Sequence, residues 1–558
     1  QIGLYPLYAA VIVQGGVTAQ ADNRPFMTTG QHSGACAQIA SARQEQSTVL
    51  RIHSSRSLSR MISSKARLAE TTIALEAVME CRNWIDGQQL GAEGGGLLPV
   101  IDPSTGETFA RLAQSSAVDI DWAVQAARRA SQGTWRRLSA AQRSQLLLRC
   151  ARTLSDAREE LARLESRDTG KPLRQAQSDA DAIVRYFEFY AGAVDKLHGQ
   201  TIPLGCEMTA FTLREPLGVT AHIIPWNYPL QIFGRSVAAS LAAGNTCVVK
   251  PAEDASLSLL RVAELLHEAG LPAGVLNICT GLGSEAGQAL AAHPDINHIS
   301  FTGSPATGRQ VALQAAQNFV PVTLELGGKS PQIVFSDADL DAALPVIVNA
   351  IVQNAGQTCS AGSRVLIQRA IYSDFTERLA ESFKALLTGA ASDNLDCGPL
   401  ISAQQQARVR SYLENLDEDG IVVLAKGKLD SKAPTGGFYQ VPVLLDHVPV
   451  QHRLAQEEIF GPVLIAQPFG TEQEAITLAN GTPYSLVAGV WTRDGARQIR
   501  MARQLRAGQV FVNNYGAAGG VELPFGGTGQ SGIGREKGFE ALYALTSLKT
   551  VALRHAPA

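Results

Sequence analysis

A thiol, a carboxylate and a primary amide occupy positions in this sequence at which each could do chemistry. The thiol is Cys359, in the segment NAGQTCSAGSR, whose small residues leave the sulfur open to a substrate. A cysteine attacks as its thiolate, and its ordinary pKa is about 8.5. An isolated cysteine is more often a buried structural residue, which is how we interpret Cys150, Cys247 and Cys279 in their apolar patterns. The polar, glycine-rich setting of Cys359 instead favours a nucleophile.

The carboxylate is Glu325, which ends the apolar run of PVTLELGGKSP shortly before two glycines. Burial there would raise its pKa toward neutrality, which suits a general base. A carboxylate that faces solvent at the end of a strand explains the same pattern, so Glu325 alone leaves both roles open. The amide is Asn227, held between two prolines in IIPWNYPLQIF. Its NH2 group could donate to a developing oxyanion, although alone it is interpreted more simply as a turn asparagine.

A second set of residues lies where predicted strands end and helices begin. Lys250 and Glu253 do so in CVVKPAEDASLSLL, where an ammonium and a carboxylate could bind ribose hydroxyls beyond the end of a strand. An acid beside the adenosine 2′-hydroxyl favours NAD over a cofactor with a 2′-phosphate. A solvated ion pair is the alternative. Gly303 and Ser304, in FTGSPATG, begin a predicted helix whose N-terminal amides suit a pyrophosphate. The signal is weak, because the G-x-G-x-x-G spacing of a dinucleotide fingerprint is missing.

The order of the predicted elements indicates an α/β fold. Short strands and turns begin near Cys81, and helical periodicity follows from about Val118, with Ser139 as a predicted N-cap. From Gly218, continuous apolar strands alternate with helices, which is typical of a parallel sheet covered on both faces. A second alternation after Gly327 predicts a second α/β domain, and the C-terminal segment LYALTSLKTVALRH has β character.

Composition excludes several classes of protein. The 558 residues are 45% hydrophobic and 18% charged, so large cores can form and wholesale disorder is excluded. The net charge of −3 provides no basic field for nucleic acid. The eight cysteines include no Cys-x-x-Cys pair, so we expect neither a disulfide scaffold nor a metal site, and a reducing compartment is favoured. The apolar stretches are too short or contain prolines, so we expect no membrane span.

The first part of the chain shows no pattern of ordered elements. We expect residues 1–78 to be a disordered extension, or sequence upstream of a true start at Met61 or Met79. Residues 51–68 are rich in serine and arginine and contain no acid, which is also the composition of an organellar targeting peptide. We therefore expect a cytoplasmic protein, with import into an organelle as the alternative.

Seven segments, taken in order, resemble the aldehyde dehydrogenase superfamily: PWNYP, VVKPAE, FTGS, LELGGKSP, GQTCSAGSR, EEIFGPV and LPFGGTGQSGIGRE. The resemblance is greatest to the non-acylating, NAD-dependent branch that includes betaine aldehyde dehydrogenase. It implies a Rossmann-type dinucleotide domain, a second α/β catalytic domain and a β oligomerisation arm that forms a homodimer or homotetramer. The implied ranges are 79–197 and 217–327 for the NAD-binding domain, 328–530 for the catalytic domain, and 198–216 and 540–555 for the arm.

The resemblance also implies a role for each matching residue. Cys359 would attack the aldehyde carbon to form a thiohemiacetal, with its own backbone N–H and the Asn227 amide as the oxyanion hole. Hydride transfer to NAD would leave a thioester, which water activated by Glu325 would hydrolyse. That base argues against a CoA-acylating enzyme, and the three residues together argue against a member that has lost catalysis. The implied cofactor contacts are Lys250 and Glu253 at the adenosine ribose, Gly303 and Ser304 at the pyrophosphate with Trp226 nearby, and Glu458 at the nicotinamide ribose with Phe460 nearby.

The identity of the aldehyde is the feature that the sequence determines least. Thr358 is expected to line the substrate tunnel, and Gly529 stands where the family commonly has a lysine. Tyr228 and Tyr515 could form part of an aromatic box for a quaternary ammonium, although plain packing is the preferred interpretation. A semialdehyde would need a cation for its carboxylate, and the sequence alone does not place one. We therefore expect broad aliphatic or aromatic specificity, with betaine aldehyde or a semialdehyde as alternatives, and with NADP as the alternative to NAD.

Overall fold

The computed structural model describes residues 79–516 and 520–555. The extension predicted over residues 1–78, with its targeting alternative, lies outside the described residues. Two large, mostly parallel sheets and their covering helices make up most of the described chain, which is the α/β arrangement that the alternating pattern predicts.

The helices of the described chain vary from one turn to six. In chain order the α-helices are α1 (Ala117–Gln132), α2 (Ala140–Asp156), α3 (Arg158–Thr169), α4 (Leu173–Ala193), α5 (Pro229–Phe233), α6 (Ala239–Ala243), α7 (Leu257–Glu268), α8 (Gln288–Ala292), α9 (Pro305–Gln317), α10 (Leu340–Val352), α11 (Tyr372–Ala385), α12 (Ala403–Tyr412), α13 (Arg453–Gln456), α14 (Glu472–Ala479), α15 (Gly495–Gln504) and α16 (Glu540–Ala544). A π-helical turn, Gly234–Ala238, joins α5 to α6.

The strands are mostly short. In chain order they are β1 (Met79–Cys81), β2 (Asn83–Ile85), β3 (Gln88–Leu90), β4 (Leu97–Asp102), β5 (Glu107–Ala113), β6 (Thr201–Ile202), β7 (Met208–Pro216), β8 (Val219–Ile224), β9 (Thr246–Pro251), β10 (Leu276–Ile278), β11 (His298–Thr302), β12 (Val322–Glu325), β13 (Pro331–Val334), β14 (Arg364–Gln368), β15 (Leu387–Thr388), β16 (Val422–Lys426), β17 (Lys428–Leu429), β18 (Val443–Asp446), β19 (Val463–Phe469), β20 (Tyr484–Ser485), β21 (Val487–Trp491), β22 (Gln509–Val512), β23 (Thr528–Gly529), β24 (Gly532–Ile533) and β25 (Thr546–Arg554).

The first large sheet contains eight strands in the order β24-β12-β11-β8-β9-β10-β2-β3. Its five central strands are parallel, and antiparallel strands close both edges. Every residue of β9 is buried, as its continuous apolar run predicts for a strand covered on both faces. Because parallel strands end on the same side of a sheet, the residues that follow β8, β9, β11 and β12 are brought to one end of this one.

The second large sheet contains seven strands in the order β16-β18-β19-β14-β13-β21-β22, parallel except for β16. Helices cover both of its faces. In β14, Val365 and Ile367 join one apolar cluster with residues of α10 and α11, whereas Leu366 joins another with residues of α14 and α15. This is the alternation expected of successive side chains in a strand.

A small antiparallel sheet of β6, β7 and β25 is separate from the two large ones. The pairing of β7 with β25 extends over nine positions, and Leu213, Leu548 and Leu553 on these strands are exposed. The C-terminal segment predicted as β is only partly so, because its first residues belong to α16, and the strand begins at Thr546.

The local signal at Ser139 is confirmed. Its side chain accepts a hydrogen bond from the Gln142 backbone N–H, and the Gln142 side chain accepts one from the Ser139 backbone N–H. Helix α2 therefore begins with a capping box. Over residues 79–516 and 520–555, no helix combines the length and the apolar character that a membrane crossing requires. The same residues contain no group of three or more histidine, cysteine, aspartate or glutamate side chains suited to a metal ion.

Candidate active site

A cavity of about 810 Å3 is lined by residues from widely separated parts of the chain. Five of the residues singled out in the sequence lie on its wall: Asn227, Tyr228, Thr358, Cys359 and Tyr515. The structure therefore brings the thiol and the primary amide to one cavity. The amide of Asn227 contacts the backbone carbonyl of Gln357, close to the thiol, although 130 residues separate the two in the chain.

The turn that carries Cys359 follows the end of α10 and has an unusual backbone. Asn354, Ala355 and Gly356 have consecutive positive φ values of 48°, 53° and 73°. A side chain at Gly356 would overlap the backbone of Gly461 and the nitrogen of Pro462. Three left-handed residues in succession are strained, and such strain is concentrated at functional sites. This turn directs Cys359 toward the cavity.

We expect Gly356→Ala to destabilise the protein by more than the strain of a left-handed alanine alone. The matched control is Gly420→Ala, because Gly420 has a φ of 69° and an open space around its missing side chain. We expect about 1 kcal/mol for the control and about 1 to 3 kcal/mol more for Gly356→Ala, since its methyl group must displace backbone. Denaturant unfolding of both variants measures the difference, and equal losses would contradict the steric argument.

Hydrogen bonds hold both the side chain and the backbone of Asn227. Its Nδ2 atom donates to the carbonyl oxygen of Gln357 at 2.9 Å, and its backbone carbonyl accepts from Asn354 Nδ2 at 2.8 Å. Asn227 is 4% exposed. A primary amide has two N–H donors, so the second one stays available to a ligand in the cavity.

Two tyrosine hydroxyls bind the residues on either side of Cys359. Tyr228 shares a hydrogen bond of 2.8 Å with the Thr358 hydroxyl, and Tyr515 donates to the Ser360 carbonyl at 2.7 Å. Tyr228 therefore contacts the side chain, and Tyr515 the backbone, of the residues that flank the cysteine.

The cavity surroundings disfavour the thiolate of Cys359. Burial raises the pKa of this thiol to about 12, and the positive charge of Arg235 acts in the opposite direction. Arg235, in the π-helical turn after α5, forms a buried ion pair with Glu536 and donates to the Thr302 hydroxyl at 3.1 Å.

Glu325 ends β12 and is 1% exposed, so the solvent-facing alternative does not describe it. Neither of its carboxylate oxygens has a hydrogen-bond partner among the described residues. Burial raises its pKa well above the ordinary value, and Arg235 opposes the increase. Gly526 lies against this carboxylate, since a side chain there would stand 2.6 Å from Oε1. Glu325 does not form part of the cavity wall, but it is close enough to Cys359 to raise the pKa of the thiol.

The residues predicted at the adenosine ribose and pyrophosphate lie at the carboxyl end of the first sheet. Lys250 lies one residue before the end of β9 in the buried interior, and its Nζ atom donates to Glu253 at 2.9 Å. Gly303 follows β11, and Ser304 caps α9 by accepting from the Thr307 backbone N–H at 3.2 Å. The arrangement offers an ammonium, a carboxylate and the N-terminal end of α9, groups that suit a dinucleotide.

The residues predicted at the nicotinamide ribose form a separate contact. Glu458 accepts the backbone N–H of Gly328 at 2.9 Å, and burial raises its pKa to about 7. The Phe460 ring meets the Trp226 ring edge to face at 5.3 Å between centres. A side chain at Gly328 would overlap the Cys359 carbonyl oxygen, so this glycine links the Glu458 contact to the cysteine turn. These residues do not line the large cavity.

Sequence reasoning missed three basic residues near the cavity: Arg185, Arg235 and Lys537. Arg235 had a detectable signal, because a charged residue interrupts the apolar run LQIFGRSVAASL. Lys537 has a φ of 61°, and nothing in the local pattern predicts its place on the wall.

Comparison with known proteins defines the class to which this fold and cavity belong. A model of the aldehyde dehydrogenase family matches residues 91–551. The chain belongs to the aldehyde dehydrogenase family, and the predicted fold is confirmed. A hydroxyisobutyraldehyde dehydrogenase of Mycolicibacterium austroafricanum is 42% identical over 88% of this chain and 96% of its own.

Solved structures agree with this assignment. A Burkholderia cenocepacia structure assigned to the aldehyde dehydrogenases is 65% identical, with a TM-score of 0.85 over 85% of this chain and all of its own. The NAD+ complex of an aldehyde dehydrogenase from Bacillus cereus is 40% identical, with a TM-score of 0.83 over 87% of this chain and 98% of its own. The NAD+ complex of Staphylococcus aureus betaine aldehyde dehydrogenase is 35% identical, with a TM-score of 0.83 over 86% and 96% of the two chains.

Proposed function

We propose that this protein oxidises an aldehyde to its carboxylic acid with NAD, using Cys359 as the nucleophile. One observation carries the proposal: the thiol and an oriented amide share a cavity wall, and an unpartnered buried carboxylate, Glu325, lies behind it. Nucleophile, oxyanion donor and base are the three functions that oxidation followed by hydrolysis requires.

In the first step, the Cys359 sulfur bonds to the aldehyde carbon and the thiol proton passes to solvent in the cavity. The negative charge that develops on the aldehyde oxygen is stabilised by the second N–H of Asn227 and the backbone N–H of Cys359. The resulting thiohemiacetal loses a hydride and becomes a thioester on Cys359. Glu325 then takes a proton from water, the hydroxide adds to the thioester carbon, and the thiol leaves with its proton restored.

The cofactor, when bound, supplies the acceptor for that hydride. Lys250 and Glu253 would hold the adenosine ribose, Gly303 and Ser304 the pyrophosphate, and Glu458 the nicotinamide ribose. Trp226 would lie beside the pyrophosphate and Phe460 beside the nicotinamide ribose. The Lys250–Glu253 pair, with a carboxylate beside the 2′-hydroxyl position, supports NAD over NADP. The NAD+ complexes of the Bacillus and Staphylococcus relatives support the same choice.

The cavity wall supports a neutral aldehyde, with an acid-bearing aldehyde as the second candidate. Lys171 lies 4.4 Å from the Tyr228 ring centre, so a cation already occupies one face of the supposed aromatic box. Arg185 and Lys537 line the cavity together with the acidic residues Asp181 and Glu522, and Arg185 forms an ion pair with Glu522, so the wall carries charges of both signs.

The test is NADH formation by the purified full chain with a panel of aldehydes. We expect turnover with NAD and without CoA, slowest with betaine aldehyde. Butanal and succinic semialdehyde have the same chain length and differ by one carboxylate. Their kcat/KM ratio therefore measures how the charged residues of the cavity wall act on a substrate carboxylate. Turnover only when CoA is added would overturn the role of Glu325, and no turnover with any aldehyde would overturn the function.

The assembly and location that we propose follow the same family likeness. We propose 79–197 with 217–327 as the NAD-binding domain, 328–530 as the catalytic domain, and 198–216 with 540–555 as an arm that joins copies of this chain. The exposed leucines of the β6-β7-β25 sheet support the arm, because unpaired apolar strands favour a partner sheet. The cysteines of the described chain are free, which supports a reducing compartment such as the cytoplasm.

A further inference from the structure

Three charged side chains form a buried group beside the candidate active site and take no part in the steps proposed above. Lys171, between α3 and α4, donates to Glu165 at 2.9 Å and to Asp179. Their side chains are at most 3% exposed. Burial by itself lowers the pKa of Lys171, but the two carboxylates raise it above its ordinary value. We call this group the buried triad.

Glu165 fixes the backbone at the start of α5. The Leu230 N–H donates to its Oε2 atom at 3.0 Å, and the Ser258 hydroxyl lies 3.3 Å from the same atom. The residue that precedes α5, Tyr228, supplies no side-chain cap. The carboxylate therefore satisfies a helix amide that would otherwise have no partner.

Asp179 and Lys171 act on side chains of the same short segment. Gln231 Nε2 donates to Asp179 Oδ1. The Lys171 ammonium stands over the Tyr228 ring, and the Tyr228 hydroxyl bonds to Thr358, the residue before the cysteine. All three members of the triad thus contact residues between 228 and 231, which follow Asn227 directly.

We infer that the buried triad of Lys171, Glu165 and Asp179 positions Asn227, by holding residues 228–231 so that the amide faces the oxyanion of the reacting aldehyde. This inference rests on the proposed function, because the amide has an oxyanion to bind only in that reaction. Burying three charges is costly, and their arrangement is explained when each charge satisfies a contact that the site needs. A triad that only stabilised the fold would change the melting temperature and leave the chemical step unaltered.

Two conservative variants test this inference in the full chain. Glu165→Gln replaces one acceptor oxygen by a donor, so it cannot serve both Leu230 and Lys171. Asp179→Asn weakens the hydrogen bond that Asp179 accepts from Gln231. This second variant is measured in case Glu165→Gln fails to fold. Because a displacement of about 1 Å can cost about 100-fold, we expect the first turnover of NADH formation, here called the burst, to slow by about 10- to 100-fold. NAD affinity, measured by calorimetry, should stay within about twofold, since a displaced amide does not touch the proposed cofactor residues.

Asp168→Asn is the matched control. Asp168 lies on the same helix as Glu165, is fully buried and also accepts a backbone N–H, that of Leu257 at 2.8 Å. It holds the start of α7 instead of α5. We expect this variant to lose stability without slowing the burst. An equal slowing in the control would overturn the inference, because destabilisation alone would then explain the effect.

A double-mutant cycle with Asn227→Ala gives the sharpest outcome. If the triad acts through this amide, Glu165→Gln has little further effect once the amide is absent. Three outcomes would each overturn this inference without touching the proposed function. They are equal slowing by Glu165→Gln in both backgrounds, an unchanged burst in the single triad variants, and an Asn227→Ala enzyme as fast as the parent. A parent enzyme without turnover on any aldehyde would overturn the proposed function as well.

Discussion

Replacing Cys359 by alanine should abolish aldehyde oxidation and leave NAD binding intact. The sulfur is the atom proposed to bond to the substrate, and an alanine leaves the cavity without a nucleophile. Removing the nucleophile of an enzyme that forms a covalent intermediate lowers kcat by as much as about 10⁶-fold. We expect a loss of at least about 10⁴-fold in NADH formation. Calorimetric titration with NAD should give the affinity of the parent, because the proposed cofactor residues do not include the sulfur.

The control is Cys206→Ala, which removes an exposed cysteine outside the cavity wall. It should retain the activity of the parent. Near-parental turnover by Cys359→Ala would disprove covalent catalysis at this residue. Loss of activity together with loss of NAD binding would instead indicate damage to the fold, which thermal unfolding of the variant would detect.

Glu325→Gln should slow hydrolysis of the thioester more than its formation. A glutamine keeps the size of the side chain but cannot accept a proton from water, and general base catalysis contributes about 10²- to 10⁴-fold. We therefore expect a rapid burst of NADH equal to about one per active site, followed by a slow steady state. Stopped-flow absorbance separates the two phases. A steady-state rate like that of the parent, with hydride transfer still the slow step, would contradict the role of Glu325.

The pH dependence of the same reaction follows from the burial of Glu325. Burial raises the pKa of this carboxyl, so the protonated form, which is inactive as a base, persists to higher pH than for an exposed glutamate. Deacylation should accelerate as the pH increases through this raised pKa. The Glu325→Gln enzyme should lose this part of the profile.

Local patterns in the sequence predict much of the fold and part of the site. The buried run of β9 and the capping box at Ser139 were readable because each depends on neighbours in the chain. Cys359 and Asn227 were also found from their surroundings. The hydrogen bond from Asn227 to the carbonyl of Gln357, two residues before Cys359, was not, since it joins side chain and backbone across the two halves of the described chain.

Other features of the site depend on distant partners and could not be read from a pattern. The ion pair of Arg235 with Glu536 forms only when β24 returns to the first sheet and places the following residues beside α5. Lys171 gave no signal, because its two partners belong to separate helices. Periodicity predicts which face of a helix or strand is apolar, but it does not predict which charged residues from other elements will form ion pairs there.

The burial of the Cys359 thiol has a consequence for its reactivity toward oxidants. Peroxides and alkylating agents react with thiolates, and their rates follow the thiolate fraction. A thiol whose pKa is about 12 presents almost none at neutral pH. Burial therefore lowers the reactivity of this thiol toward such reagents, although Cys359 lies on the wall of the cavity.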